Sequence, residues 1–304
     1  MEEVGSGRDR PEGRVRPVTD GFLPDLGKAL QGAVNRAVDA VVTGYGDRLD
    51  GVSAALTAPV RGLETVLALV PAPLFAVAVG LGAWAASRRL GFTIGMALLP
   101  LLIAMLGVWT EAMQSLALIT VSVLLVLLIG LPLGMAAARL PRLSRVLAPL
   151  YDLMQTIPSF VYLIPVAMVL GLGRAPALVA TLIYALPPFA RLTELGLRGV
   201  DRELVQAARA LGLGRWQTLW LVELPLARPS ILQGLNQTIM MALAMVVVAS
   251  MIGAKGLGET VLLGLQRADP GLGFVGGLAI VLLAILLDRM AQAVLGRPVE
   301  HPNP

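Results

Sequence analysis

An all-α, polytopic membrane protein with about seven transmembrane helices is what this sequence predicts, and three observations predict it. The 304-residue chain is 56% hydrophobic and only 14% charged, against about 45–50% apolar and about 25% charged for ordinary soluble domains. Its mean hydropathy is +0.78. The charges are clustered, which leaves long stretches almost free of them, the pattern of a chain whose solvent is a bilayer.

The elements follow in order. Residues 1–21 are rich in Arg, Glu, Gly and Pro and poor in large apolar residues, so they read as a disordered tail. No apolar core closely follows their arginines, which excludes a secretory signal. Leu23, Leu26, Leu30, Val34, Ala37 and Val41 then recur at helical spacing, with Lys28, Asn35, Arg36 and Asp39 between them. This is an amphipathic helix, and the segment 22–62 is read as lying in the membrane interface, although a helix packed on its own protein has the same pattern. A transmembrane domain over 63–292 holds seven apolar stretches, near 65–87, 90–109, 115–138, 157–172, 175–190, 230–252 and 273–292. The fourth and fifth are short for a span of about 20 residues. Gly130-Leu131-Pro132 predicts a kink in the third, because proline removes a helical hydrogen bond. Residues 293–304 form a cytoplasmic tail.

The loops test this layout. One alternate set carries Arg88, Arg89, Arg139, Arg142, Arg145, Arg191, Arg198, Arg202, Arg209, Arg215, Arg228, Arg289 and Arg297, and the other only Arg174, Lys255 and Arg267 with Glu111. The positive-inside rule makes the first set cytoplasmic. Seven spans then put the N-terminus outside. The net charge of +4 is accounted for by these loops and calls for no nucleic acid.

Several chemistries lack their residues. There are no cysteines and one histidine, His301 beside Pro302, so metal and thiol sites have nothing to build on. No Asp, Glu, Lys or Arg lies in the middle of a stretch; Asp288 and Arg289 come near the end of the last. Ion-coupled transporters need such buried groups. H-E-x-x-H, G-x-S-x-G and the P-loop are all missing. No catalytic residue and no cofactor is expected, and energy for transport has to enter through a partner.

The longest cytoplasmic loop, 191–228, is patterned. Asp201 is placed to cap a helix and Glu203 to favour its first turn. Leu204, Ala207, Ala208 and Leu211 share a face at i, i+3, i+4, i+7, and Gly212 stands where a helix-ending glycine belongs. A second short helix with Trp216, Leu219, Trp220 and Val222 leads into Leu224-Pro225. The run is Gln206-Ala207-Ala208, three residues, Gly212, nine residues, then Val222-Glu223-Leu224-Pro225. It resembles the cytoplasmic E-A-A-x3-G-x9-I-x-L-P signature of binding-protein-dependent ABC importer permeases, departing at Gln206, where the family usually has Glu, and conservatively at Val222. The runs Met154–Val166, Ile183–Gly196 and Asn236–Glu259 are similar to the proline/glycine betaine branch, a likeness covering roughly 110–290.

The resemblance implies a type I ABC importer transmembrane domain in a bacterial cytoplasmic membrane. Two permease subunits, expected as a homodimer, would enclose one path. An ATPase subunit would bind ATP and receive the coupling loop at Gln206, Ala207, Ala208, Gly212, Leu224 and Pro225. An external substrate-binding protein would deliver glycine betaine, proline, choline or a similar solute. Path candidates are Gln155, Thr156, Ser159 and Tyr162, beside Pro158 and Pro165, and the polar step Asn236, Gln237 and Thr238. Polar groups at broken backbone often line a water-filled path, and they equally serve as interhelical hydrogen-bond glue. The aromatics are too few for a full cage around a quaternary ammonium, which places tight recognition in the binding protein. An ABC permease for another small solute, or a facilitator without an ATPase, are the alternatives.

Overall fold

The computed structural model describes residues 26–295, which are helices and short connections with no strand among them. The tail assigned to 1–21 and most of that assigned to 293–304 lie outside the described residues. The chain divides into two units between Gly44 and Tyr45. Of the first unit, residues 26–44 are described and are helical, as the first part of α1 (Leu26–Ala68). The second unit begins with the rest of α1 and holds every other element.

α1 and α2 (Ala72–Ser87) meet at 103°. The first expected stretch, 65–87, is therefore broken near its start. Pro71 stands at the break with φ −67° and ψ 147°, and a proline drives the residue before it out of the helical region. α3 (Leu90–Met105) returns from a two-residue connection as a short apolar helix. α4 (Trp109–Arg139) runs unbroken through Pro132. α5 (Pro141–Thr156) and α6 (Ser159–Leu170) form a second bent pair, at 95°. Ile157, just before Pro158, is extended with ψ 126°, by the same steric rule. The fourth stretch thus holds a helix of only 12 residues, and residues expected as plain loop form α5.

The fifth stretch is longer than its apolar run. α7 (Arg174–Arg198) carries Pro187 and Pro188 inside it. After the segment 199–223 come α10 (Leu224–Ser250), α11 (Leu257–Gln266) and α12 (Pro270–Leu295). Each of the seven stretches is met by a helix. By length and composition, four helices are able to cross a membrane alone, and up to six spans result if each bent pair counts as one. α11 was not foreseen within the loop after the sixth stretch, where Leu257, Gly258, Thr260 and Gly264 are its buried residues.

Burial orders the bundle. In the most apolar window of α7, 67% of residues are buried, against 22% for α12, so α7 is central and α12 peripheral. α7 earns that place with small residues: Ala177, Ala180, Thr181, Ala185, Ala190, Thr193 and Gly196 are all buried. Between apolar helices in lipid, attraction comes from close backbone approach, which small residues permit. A Cβ on Gly134 of α4 would lie 2.6 Å from Thr193 Cβ and 2.8 Å from the Ala190 carbonyl, and one on Gly130 would lie 2.7 Å from a Phe189 ring carbon. The Gly130-Leu131-Pro132 triplet thus supplies contact with α7 inside a continuous helix.

Candidate functional site: the coupling segment and the polar step

The chain between α7 and α10 folds as its residues dictate. Asp201 caps α8 (Arg202–Ala210): its Oδ1 accepts from the Glu203 N–H at 2.8 Å. At the other end Gly212 has φ +89°, a conformation in which a Cβ is strained. The Gly212 N–H donates to the Arg209 carbonyl at 3.0 Å and the Leu213 N–H to the Ala208 carbonyl at 3.2 Å. These are the paired bonds of a Schellman ending. The Gly214 N–H donates to Gln217 Oε1 at 2.9 Å, which starts α9 (Arg215–Thr218).

The second helix is not a separate piece. α9 passes through a π turn (Leu219–Glu223) into α10, giving one continuous run Arg215–Ser250. In the turn the Leu224 N–H reaches back to the Leu219 carbonyl, a five-residue step. Pro225 has no N–H to offer, and a widened turn just ahead of it lets the helix continue without that bond. Leu224 and Pro225 therefore join the loop rigidly to a spanning helix.

The segment is anchored and also leaves a surface free. Leu219 is buried with Leu197 of α7 and Ala227 of α10. Arg139 Nη2, at the end of α4, meets Glu223 Oε2 at 2.7 Å. Arg198 Nη2 donates to the Ala137 carbonyl at 2.9 Å and pairs with Glu194 at 2.9 Å. The expected common face of α8 is divided: Ala208 turns inward beside half-buried Val205, whereas Leu204, Ala207 and Leu211 are exposed. Trp216, Trp220 and Leu221 are exposed as well. Gln206 is exposed and lines a cleft of about 660 Å³ with Arg202, Arg209 and Arg215. Sequence reasoning missed the Arg139–Glu223 pair, although Glu223 stands inside the motif; nothing local announces a partner 84 residues away.

The path candidates separate into four groups. Thr238 is buried, and its hydroxyl donates to the Gly234 carbonyl at 2.9 Å and lies 3.3 Å from the Ala185 carbonyl of α7, an interhelical contact. Gln237 and Thr156 are exposed, and Ser159 opens α6 half-buried. The Tyr162 hydroxyl and Asn236 Oδ1 are buried with no hydrogen-bond partner, which is costly unless water or a solute supplies one. Gln155, at the end of α5, points its Nε2 at Met241 Sδ of α10, 3.9 Å away. Met241 lies about 7.5 Å along the helix axis from Asn236. The end of α5 thus reaches α10 at Met241, while Asn236, five residues earlier, is turned about 140° away around the same helix.

This arrangement has known counterparts. Residues 130–298 match the family described as binding-protein-dependent transport system inner membrane component. The chain is 46% identical over 267 residues to the glycine betaine/proline betaine transport system permease protein ProW of Escherichia coli (strain K12), covering 87% of this chain and 75% of that protein. It is 40% identical over 274 residues to the glycine betaine transport system permease protein OpuAB of Bacillus subtilis (strain 168), covering 90% and 97%. A third relative, the glycine betaine/carnitine transport permease protein GbuB of Listeria monocytogenes, is 45% identical over 237 residues. Among solved structures, the methionine ABC transporter MetNI in an inward-facing conformation aligns with a TM-score of 0.52 and 25% identity, over 59% of this chain and 92% of that one. The family match covers more than half of the chain and includes the whole coupling segment, α10 and α11, so this protein belongs to the binding-protein-dependent transport system inner membrane components, the membrane-spanning permeases of type I ABC importers.

Proposed function

We propose that this permease imports a compatible solute of the betaine type, glycine betaine or proline betaine first among them. Relatives at 40–46% identity carry those solutes in their names, and the coupling segment supplies the means of driving it. A partner ATPase docks on the surface left open by Leu204, Ala207, Leu211 and Trp216, with Gln206 at its edge and Ala208 and Gly212 setting its shape. The observation that carries this reading is the continuous helix from Arg215 to Ser250. A push on the loop is delivered through Leu224 and Pro225 directly to the helix that holds Asn236, with no flexible joint between.

Gln155, Ser159, Tyr162 and Asn236 line the path, with Thr156 and Gln237 at its margins, while Thr238 holds α10 to α7. The unpartnered Tyr162 hydroxyl and Asn236 Oδ1 support this division. The coupling loop 191–228 is cytoplasmic and the N-terminus external. The Glu64–Arg174 ion pair supports that topology in one respect, since it needs both residues on the same side of the membrane. Residues 22–62 precede the permease domain 63–292, and only the part before Ser53 carries the interfacial helix, because Ser53 bonds the Leu170 carbonyl and Val60 is buried in the bundle. Two copies of the chain enclose the path, and an external binding protein presents the solute to it.

Co-purification tests the docking surface. A tagged version of this chain, expressed with the ATPase encoded beside it, retains that ATPase; Ala207→Trp, which adds bulk to the exposed side of α8, releases it. Equal retention by both would remove the coupling role from this loop.

A further inference from the structure

We infer that the α2–α3 hairpin holds an anionic phospholipid, with one acyl chain in the groove between the two helices and the headgroup phosphate on Arg88 and Arg89. The groove has a volume of about 540 Å³ and is lined by Pro73, Val77, Leu81 and Trp84 of α2 and by Thr93 and Leu101 of α3, among others. Val77, Leu81 and Trp84 are exposed on its wall. It runs from Pro73 to Trp84, about 16 Å of helix, close to the depth of one leaflet of a ~30 Å hydrocarbon core. A chain of that length fits along it from end to end.

The charge sits at one end. Arg88 and Arg89 are the two residues connecting α2 to α3, next to Trp84 and Leu90 on the groove wall. Both are exposed, and neither has an ion-pair partner among the described residues. The Arg88 N–H donates to the Trp84 carbonyl at 2.9 Å, and Arg88 holds φ +55°. Glycine adopts that left-handed turn without strain, and arginine does so at a cost; the side chain is kept at a place where the backbone alone prefers none. The first N–H groups of α3 open beside it and add the positive end of a helix dipole. A phosphodiester meets two guanidinium groups and a helix N-terminus here, while its tail follows the groove. The hairpin lies outside residues 130–298, the part of the chain that matches the family.

Native mass spectrometry of the full chain, released from detergent with phosphatidylglycerol or phosphatidylethanolamine of the same acyl composition, tests this. The chain retains phosphatidylglycerol in preference. Replacing both arginines, Arg88→Gln with Arg89→Gln, lowers phosphatidylglycerol retention by roughly fivefold for each charge removed and phosphatidylethanolamine retention by less, because the ethanolamine ammonium offsets the phosphate charge. Val77→Phe, which fills the groove and keeps the charges, lowers retention of both. Unchanged phosphatidylglycerol retention in the double arginine variant overturns the proposal. So does loss in that variant with none in Val77→Phe, which would place the lipid outside the groove. Size-exclusion profiles matching the parent chain show that the variants are folded.

Discussion

Arg174 grips Glu64 with two parallel bonds, Nε to Oε1 at 2.7 Å and Nη2 to Oε2 at 2.6 Å. The two residues are 110 apart in sequence. Their side chains are 23% and 13% exposed, so the pair is largely shielded from water. It joins the N-terminus of α7, the central helix, to α1. Nearby, the Ser53 hydroxyl donates to the Leu170 carbonyl at 3.0 Å, and Val60 is fully buried against Leu163, Ala177 and Leu178. This part of α1 is therefore stitched to the ends of α6 and α7 rather than lying loose beside them.

Breaking the pair leaves a shielded charge without its partner, which is more costly than the pair is worth. Glu64→Gln should lower stability in detergent by about 2 kcal/mol, discounted from the fully buried case for the remaining exposure. The double exchange Glu64→Arg with Arg174→Glu should recover much of it. A thermal-melt series over the three proteins checks this, and equal melting temperatures for all three would mean that the pair carries no stability.

Gly212 separates conformation from space. Nothing lies within 4 Å of a Cβ built there, so the penalty of substitution is that of the left-handed backbone, roughly 1–2 kcal/mol for an L-residue. Gly212→Val should insert and fold but reshape the end of α8, with ATPase association and uptake falling together. Gly212→Asn, which tolerates this conformation, should keep most of both. Uptake measured beside membrane abundance distinguishes these outcomes.

Gly134 presents the opposite case. Its backbone is helical, and a side chain would run into Thr193 and the Ala190 carbonyl. Gly134→Ala should destabilise by about 1–3 kcal/mol through overpacking, and Gly134→Leu should abolish a folded product, as read by the monodisperse fraction after extraction.

The polar step on α10 divides by partner. Thr238→Ala should cost about 1 kcal/mol of stability and leave solute uptake intact, because its hydroxyl bonds α7. Asn236→Leu should do the reverse, holding stability while uptake drops at least several-fold. If both variants behave alike, the assignment of Asn236 to the path is wrong.

How much of this was legible beforehand depends on whether the deciding interaction is local. The cap at Asp201 and the ending at Gly212 are built from neighbours within a turn, and both were readable from residue type and spacing. The seven apolar stretches were readable because hydrocarbon selects composition directly. Their breaks were harder. Pro71 and Pro158 mark sharp bends, whereas Pro132 and the Pro187-Pro188 pair sit inside continuous helices, because α4 and α7 are held by each other's small faces. The π turn before Pro225 accommodates one missing N–H, but no spacing rule tells whether the chain widens or breaks there. Charge pairs such as Arg139–Glu223 and Glu64–Arg174 join distant elements, and no spacing rule reports them. Among the path candidates, Asn236 and Thr238 are two residues apart, yet Thr238 meets an α7 carbonyl and Asn236 Oδ1 meets no partner, which only the packed structure reveals.

Uptake of radiolabelled glycine betaine into proteoliposomes tests the central claim most directly, with this chain, its ATPase and its binding protein reconstituted together. The account predicts accumulation that requires ATP on the ATPase side and is lost in Gly212→Val. Accumulation without ATP or without the ATPase would contradict it.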